Sequence, residues 1–281
     1  MGATVGQIIK IIDQLVPPRL AEEWDNVGLQ IGDPRWPARR LWVALDPSLE
    51  VVKAACGEDV DLLITHHPLI YRPLKSIDFD TPGGSIIQTA AQHQLAIFSA
   101  HTNLDIVRDG VNDVLAKRLG LKNLKILQSV ETVERLDDIS FSLIGGNAEH
   151  GIGRIGTLAK TTSLKSLALT VKKKLALNFA KIAGDPGLKV TRVAICSGSG
   201  SSLMQAFFSS DAQVFISGDI RYHDARDAEG ANRGIIDIGH FPSEHLMVEA
   251  LAHQLKRILN KEDIKTKVEA CNIEKDPFSI I

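Results

Sequence analysis

The chain has 281 residues, of which 44% are apolar and 23% charged, a composition ordinary for a globular protein with one large or two small domains. Its 32 Lys and Arg residues against 34 Asp and Glu give a formal charge of −2, so charge offers no argument for a nucleic-acid or anionic-membrane partner. Three widely spaced cysteines suggest neither a disulfide framework nor a thiolate zinc site. Nine histidines remain, and their positions carry more information than their number.

No targeting or membrane-spanning segment is recognised. The N-terminus has no basic stretch followed by an uninterrupted apolar run, and no apolar run approaches the roughly 18 residues of a membrane span. Unpaired thiols suit a reducing compartment. We therefore expect a cytoplasmic protein with no membrane partner.

The first expected element is a helix, because Thr4 and Gln7 have capping-box spacing and the apolar residues after them have helical period up to Pro17. An irregular stretch rich in Pro and Gly, 24–37, follows. The expected strands after it are Leu41–Leu45, Val60–Ile64, Leu95–Ser99, Val190–Ile195, Val214–Ser217 and Ile235–Ile238. The helices expected between them include Ser85–Gln94, Val111–Leu119, Leu203–Ser210 and Glu244–Leu259. This alternation predicts an α/β protein built from βαβ units.

The middle of the chain, Leu124–Gly187, has a different pattern and is assigned to a second lobe. Its expected parts are the strands Lys125–Val130 and Ile139–Ile144, a Gly-punctuated stretch from Gly145 to Gly156, and a helix with Leu164, Leu167, Val171 and Leu175 on one stripe. Lys172–Lys174 on that helix are interpreted as a solvated face rather than a nucleic-acid patch, because the chain as a whole is slightly acidic. The segment Ile264–Ala270 alternates apolar and charged residues, as an edge strand does.

Three of the expected strands lead directly into potential metal ligands. The residues that follow them are His66 and His67, His101 and Asp105, and His240 and Glu244. In open α/β sheets, ligands and catalytic groups collect at the carboxyl ends of strands. Three separate stretches of chain can therefore deliver side chains to one place.

Each of these residues also has an ordinary structural interpretation. Neighbouring histidines on an extended strand point to opposite faces, so His66 and His67 can be one packed and one exposed residue. Asp105 can make turn hydrogen bonds or cap a helix, and Glu244 falls in the first turn of an expected helix, where the dipole favours any carboxylate. The conjunction of the imidazoles of His66, His67 and His240 with the carboxylates of Asp105 and Glu244 favours a metal site. These mixed donors suit Zn, Mn, Fe, Co or Ni, and five of them suit two ions that share a bridging carboxylate.

Two further strand-to-helix loops carry weaker signals. The loop Cys196–Ser202 either cradles a phosphate on its backbone N–H groups or is a tight turn without a ligand. The residues that would contact the phosphate are Gly198, Ser199 and Gly200. Cys196 itself is expected to be buried rather than nucleophilic. The densely polar stretch 217–224 is either a solvated helix start or the wall of a cleft that faces the metals.

Seven motifs spread over nearly the whole chain can be compared with known families. They are Glu23–Leu29, Ile64–Leu69, Ser99–Asp105, Gly151–Arg154, Ser217–Asp224, Ile238–Phe241 with Ser243–His245, and Asp276–Phe278. Together they resemble the dinuclear-metal family of GTP cyclohydrolase I type 2 homologues, also called Nif-three-like proteins. The resemblance implies a two-lobed α/β subunit, a pair of divalent ions where the lobes meet, and a ring-shaped homohexamer. Some members of the family carry a large extra domain, for which the middle segment of this chain is too short.

Carried over by position, the resemblance gives one ion the ligands His66 and Asp105. The other ion has His67 and His240, and Glu244 bridges the two. The family name refers to hydrolytic opening of the GTP imidazole ring with release of formate, which attack by a metal-activated water at C8 would begin.

His101 and His223 are the candidate proton-transfer groups, because imidazole titrates near working pH. The other interpretation is that these two histidines only hydrogen-bond to ligands.

The sequence therefore predicts an α/β protein of two interleaved lobes with mixed sheets and a di-metal site between them. Residues 1–125 with 230–281 form the first lobe, which bears the ligands, and residues 126–229 form the second. The expected function is a di-metal hydrolase that acts on a nucleotide-like or phosphorylated small molecule, in the manner of a GTP cyclohydrolase. The alternatives are a non-catalytic metal-binding regulatory or metal-delivery protein and a purely structural metal site.

Overall fold

The computed structural model describes residues 2–130 and 150–279, so the expected strand Ile139–Ile144 lies outside the described residues. The strands in chain order are β1 (Gly28–Ile31), β2 (Arg40–Ala44), β3 (Leu62–Thr65), β4 (Ala96–Ser99), β5 (Lys122–Ser129), β6 (Gly151–Ser163), β7 (Lys181–Ala183), β8 (Lys189–Ser199), β9 (Val214–Gly218), β10 (Gly234–Asp237) and β11 (Lys267–Ala270). The helices are α1 (Val5–Leu15), α2 (Leu49–Gly57), α3 (Pro82–Gln92), α4 (Thr102–Ile106), α5 (Val111–Leu119), α6 (Leu164–Lys174), α7 (Met204–Ser209), α8 (Tyr222–Gly230), α9 (His240–Glu244) and α10 (Leu246–Lys261). Within these ranges, no helix is both long and apolar enough to span a membrane.

The chain divides into two compact units, Met1–Leu104 with His245–Ile281 (unit 1) and Asp105–Glu244 (unit 2). Their limits differ from those of the predicted lobes, because α5 packs against β6 and β8 and so falls in unit 2. The predicted lobe boundaries near 125 and 230 stay a prediction.

Unit 1 is built on a five-stranded mixed sheet with the order β1-β4-β3-β2-β11. β1 is antiparallel to β4, and the other neighbouring strands are parallel. The residues of β3 and β4 are all buried, as is typical of parallel strands covered on both faces. β11 lies at the edge of the sheet, in the segment whose alternation predicts an edge strand.

Helix α1 begins as its sequence predicts. Thr4 Oγ1 accepts from the backbone N–H of Gln7 at 3.3 Å, and Gln7 Oε1 accepts from that of Thr4 at 2.8 Å. This reciprocal pair satisfies two N–H groups that a helix start leaves without partners, and it confirms the predicted capping box. The apolar stripe of the helix is buried at Val5, Ile8 and Ile12.

Unit 2 contains a six-stranded mixed sheet with the order β5-β6-β8-β9-β10-β7. β8, β9 and β10 are parallel neighbours, and the other pairs are antiparallel. A core cluster on this sheet includes the stacked rings of Phe207 and Phe215, with centroids 5.4 Å apart, and Cys196, which is 2% exposed. The expected α/β architecture with mixed sheets is confirmed by the two sheets.

Two parts of unit 2 differ from their sequence patterns. The described part of the Gly-punctuated stretch, from Gly151 to Gly156, belongs to the long strand β6, because the missing side chain of Gly151 lets the chain pass close to the backbone of Gln128. Glu244 ends the one-turn helix α9, while the long helix begins at Leu246. The prediction that Glu244 lies in the first turn of a long helix is therefore wrong.

A buried ion pair joins β6 to α5 in unit 2. Arg154 Nε donates to Asp113 Oδ1 at 2.9 Å and Nη2 to Oδ2 at 3.0 Å, and the two side chains are 5% and 10% exposed. The remaining guanidinium N–H groups donate to the carbonyls of Gly151, Gly153 and Val107. Removing one member of such a buried ion pair leaves the charge of the other without a partner.

We expect Arg154→Ala to lower the free energy of unfolding by about 3–5 kcal/mol, because it leaves the buried Asp113 carboxylate without its partner. Urea unfolding followed by circular dichroism measures the change. The control is Arg35→Ala, since the Arg35 side chain is 88% exposed in its pair with Asp33 and should contribute little. Equal losses in the two variants would contradict a structural role for Arg154.

Candidate metal centre

Three histidines of unit 1 meet at the carboxyl ends of β3 and β4. These strands are parallel neighbours with Thr65 opposite Ser99, so the residues after them emerge at the same edge of the sheet. The ring centroids of His66 and His67 are 5.1 Å apart, and His101 lies 5.1 Å and 5.6 Å from them. One ligating nitrogen from each lies within 4.8 Å of the others, close enough to surround a metal ion.

Each of these imidazoles is held through Nδ1. His66 Nδ1–H donates to the carbonyl of Ala100 at 2.9 Å, and His67 Nδ1–H donates to Asp46 Oδ1 at 2.7 Å. His101 Nδ1–H donates to Asp25 Oδ1 at 2.9 Å. Because the acceptors are a carbonyl and two carboxylates, the proton belongs on Nδ1 and the lone pair on Nε2. This is the arrangement that orients metal-ligating histidines.

Asp25 connects two segments of unit 1 by hydrogen bonds, and its sequence context does not identify it as a site residue. Its Oδ2 accepts from the backbone N–H of Thr102 at 3.0 Å and from Thr102 Oγ1 at 2.5 Å. Burial raises the pKa of this carboxyl, but the hydrogen bonds from His101 and Thr102 outweigh burial and lower the pKa to about 2. Asp25 is therefore ionised at any pH near neutrality.

In unit 2, a second histidine–carboxylate arrangement lies at the ends of the parallel strands β9 and β10. His240 begins α9 after β10, and its Nδ1–H donates to Oδ2 of Asp219, which follows β9, at 2.8 Å. His240 Nε2 lies 3.0 Å from Oε2 of Glu244, one helical turn along α9. Two donor atoms about 3 Å apart have the spacing of neighbouring ligands on one ion with bonds of about 2.1 Å.

Asp105 is the other predicted ligand in unit 2, where it is 8% exposed. Its Oδ1 accepts from Ser197 Oγ at 3.3 Å, and its backbone carbonyl accepts from Asn112 Nδ2 at 3.1 Å. Asn112 Oδ1 in turn accepts from the backbone N–H of Ser197 at 2.9 Å, so this fully buried amide connects the residue to β8. Asn112 is a further residue of the site that the sequence did not identify.

Asp105 and Glu244 both act on the thiol of Cys196. Burial is the main cause that raises the pKa of Cys196 well above its usual value, and the two nearby negative charges raise it further. The thiol is therefore protonated near neutral pH, in agreement with the prediction that this cysteine is not a nucleophile.

Gly198 makes room for the carboxylate of Glu244. A Cβ at this position would overlap Glu244 Oε1, and the backbone φ of +62° also favours glycine. The N–H of Gly198 donates to Ser243 Oγ at 2.8 Å, and Ser243 Oγ donates to the carbonyl of His240 at 2.6 Å. The hydroxyl of Ser243 thus fixes α9 against β8.

The expected phosphate loop is engaged in hydrogen bonds within unit 2. Besides the bond from Gly198, the N–H of Gly200 donates to the carbonyl of Gly218 at 3.4 Å. The helix that follows, α7, has six residues. The substrate-binding role of Gly198, Ser199 and Gly200 stays a prediction.

The two histidines expected to transfer protons lie in different surroundings. His101 belongs to the histidine cluster of unit 1, whereas His223 is exposed on α8 in unit 2, with its ring 5.4 Å from that of Tyr222. Their proton-transfer roles stay predictions.

We expect Gly198→Ala to displace the Glu244 side chain and to lower both metal content and the free energy of unfolding, the latter by about 1 kcal/mol from the positive φ alone. Metal analysis and urea unfolding measure the two effects. Gly230→Ala is the matched control, because nothing lies within 4 Å of a Cβ added there. Metal content in Gly198→Ala equal to that in the control would contradict this role.

We expect Asp25→Asn to lower the free energy of unfolding by about 2 kcal/mol at neutral pH, the value of a carboxyl pKa lowered from 3.8 to about 2. A carboxyl whose pKa is lower in the folded than in the unfolded protein stabilises the fold at pH values above its unfolded pKa, here 3.8. The difference in the free energy of unfolding between wild type and variant should therefore shrink as the pH falls below 3.8 and vanish near pH 2. Urea unfolding at several pH values tests this, with exposed Asp80→Asn as the control. A difference that stayed constant with pH would exclude the ionised carboxyl as its cause.

Comparison with known proteins places these residues in a family. The family model described as Duf34/NIF3 (NGG1p interacting factor 3) matches residues 3–277. The GTP cyclohydrolase 1 type 2 homolog of Clostridium perfringens is 32% identical over 278 residues, 99% of each chain. The homolog from Bacillus subtilis is 26% identical over 366 aligned positions, 98% of each chain.

The Bacillus subtilis alignment has more positions than this chain has residues, so that relative carries residues that are absent here. Among solved structures, a Bacillus cereus protein related to NIF3 superposes with a TM-score of 0.90 at 26% identity and covers 99% of each chain. The family match spans nearly the whole sequence, including every predicted ligand. The chain belongs to the Duf34/NIF3 family.

Proposed function

We propose that this protein is a di-metal hydrolase that uses a metal-activated water on a nucleotide-like small molecule. Two divalent ions close together would lower the pKa of a shared water and stabilise the attacking and leaving oxygens. The ion identity stays open among metals that accept nitrogen and oxygen donors, namely Zn, Mn, Fe, Co and Ni. The proposed ligands are His66 and Asp105 for one ion, His67 and His240 for the other, and Glu244 for both.

The observation that carries the proposal is the second layer of acceptors behind the histidines. All three proposed histidine ligands donate Nδ1–H to a protein oxygen, at 2.7 to 2.9 Å. A buried histidine with a purely structural role needs a hydrogen bond at only one of its nitrogens. All three proposed ligands carry the proton on Nδ1, which leaves the basic Nε2 of each available to a metal ion. Two of the acceptors, Asp46 and Asp219, are carboxylates, which make the imidazole a stronger donor.

The distance between His240 and Glu244 in unit 2 also supports a metal ion at this place. With its proton directed to Asp219, His240 presents the Nε2 lone pair to a carboxylate oxygen 3.0 Å away. Two electron-pair donors repel one another at this distance unless a cation, either a proton or a metal ion, lies between them. The mixed nitrogen and oxygen donor set therefore suits a divalent ion.

The chain's own residues have separate tasks in this proposal. Asp46 and Asp219 orient ligands, Ser243 holds α9 in place, and His101 is positioned by Asp25 as a candidate proton-transfer group. The relatives are named GTP cyclohydrolase 1 type 2 homolog, which supports GTP or a similar nucleotide as the substrate. A homohexameric assembly and a cytoplasmic location are parts of the same proposal and can be measured by analytical ultracentrifugation and by cell fractionation.

The experiment begins with removal of metal by a chelator, followed by reconstitution with Zn, Mn, Fe, Co or Ni and measurement of ions per subunit. We expect two ions per subunit and hydrolysis of GTP or of a simple phosphoester that depends on them. Glu244→Gln should lose the second ion and turnover, because an amide is a weak bridging ligand. Glu249→Gln, on the exposed face of α10, is the control and should match wild type.

The outcomes separate the proposal from its alternatives. Fewer than one ion per subunit after reconstitution would refute the dinuclear site. Two ions without turnover on any substrate would favour a metal-binding regulatory or delivery protein. Turnover that survives in metal-free protein would exclude the metal-activated water.

A further inference from the structure

Two exposed aromatic side chains lie beside the histidine cluster of unit 1. Trp24 is 55% exposed and Tyr71 is 50% exposed, and their ring centroids are 5.7 Å apart with planes inclined at 59°. The indole of Trp24 also meets the ring of His101, at 6.0 Å and 78°. Large aromatic side chains are among the most favourable to bury, so an exposed pair at a candidate site calls for a ligand.

Hydrogen bonds hold the chain next to both aromatic residues. The Asn26 amide donates to the carbonyl of Ile70 at 2.5 Å, and the N–H of Ile70 donates to Gln30 Oε1 at 3.2 Å. Gln30 Nε2 donates back to the carbonyl of Asn26 at 2.9 Å. The residue before Tyr71 is thereby held on both its backbone groups by the segment that follows Trp24.

The residue that follows Trp24 is also held in place by hydrogen bonds. Its neighbour Asp25 accepts from His101 and from Thr102, with its own side chain fully buried. Trp24 is thus the neighbour in the chain of the carboxylate that orients His101. A surface held in place before binding gives up little conformational entropy when a ligand arrives.

We propose that Trp24 and Tyr71 form a stacking platform that takes the purine base of the substrate. This inference rests on the proposed function, because it names the part of the substrate that lies against the histidine cluster. Flat nitrogen heterocycles stack on aromatic side chains with little dependence on ring substituents. A base on Trp24 also lies next to His101, which belongs to the same cluster as the proposed metal ligands His66 and His67.

The polar surroundings favour a small ligand over a protein partner. Next to the two rings, the exposed side chain of Asn26 and the half-buried side chain of Gln30 hydrogen-bond to the backbone of Ile70. Protein interfaces that bury exposed aromatic residues have an apolar core around them. A second copy of the chain is the competing occupant, because Leu74, Ile77 and Phe79 on the segment after Tyr71 are also exposed.

The test uses the full-length protein, both metal-free and metal-loaded, with guanosine, GTP and ribose 5-phosphate as probes in isothermal titration calorimetry. Trp24→Ala and Tyr71→Ala should each weaken guanosine and GTP binding by roughly 5- to 150-fold, the range that one stacked base contributes. Ribose 5-phosphate has no base and should bind equally to all variants. Trp24→Phe should retain most of the affinity, and Phe179→Ala, an exposed aromatic of unit 2, is the control.

Tryptophan fluorescence provides an independent readout. Of the three tryptophans, Trp36 is half-buried and Trp42 is 9% exposed, so a base that stacks on Trp24 should quench emission in wild type and not in Trp24→Phe. The proposal is refuted if wild type binds no guanosine, or if Trp24→Ala weakens ribose 5-phosphate as much as guanosine. It is also refuted if purine affinity is unchanged in Trp24→Ala while sedimentation shows a loss of self-association.

Base binding and hydrolysis can fail separately. Guanosine binding that depends on Trp24 in a protein without metal-dependent turnover would leave the platform standing and refute the hydrolase. Metal-dependent hydrolysis of GTP with the same KM in wild type and in Trp24→Ala would support the hydrolase and refute the platform.

Discussion

The candidate site depends on one recurring interaction, a protein oxygen that accepts the Nδ1 proton of a histidine. It occurs at His66, His67 and His101 in unit 1 and at His240 in unit 2. A free imidazole can carry its proton on either nitrogen and can rotate about its side-chain bonds. The acceptor removes both freedoms, so the ring presents a defined nitrogen in a defined direction. The strand ends and loops around the site place the acceptor oxygens that orient the imidazole rings.

The two sheets supply the acceptors and the histidines from adjacent strand ends. In unit 1, β3 and β4 end next to one another, and the carbonyl after β4 accepts from the histidine after β3. In unit 2, the residue after β9 accepts from the histidine that follows β10. Parallel pairing places these ends at one edge, so the same rule of α/β sheets operates in each unit. The glycine at 198 and the hydroxyl of Ser243 then adjust the last turn of chain that bears Glu244.

Local patterns in the sequence predict part of this structure. The buried strands β3 and β4, the capping box of α1 and the cluster of three histidines follow from hydrophobic runs, cap spacing and strand ends. The acceptors could not be found in this way, because Asp25 lies 76 residues from His101 and Asp219 lies 21 residues from His240. Each looks in the sequence like an ordinary loop aspartate. The strand β7 was also missed, since three residues carry no periodicity.

The burial of Cys196 has a consequence for which metals the protein can take up. Its thiol lies in the apolar core of unit 2, close enough to Asp105 and Glu244 for their charges to oppose its ionisation. A thiolate at this place would attract soft ions such as Cu(I). Because the sulfur keeps its proton, the charged donors in this part of unit 2 are the oxygens of the two carboxylates, which suit hard and borderline ions.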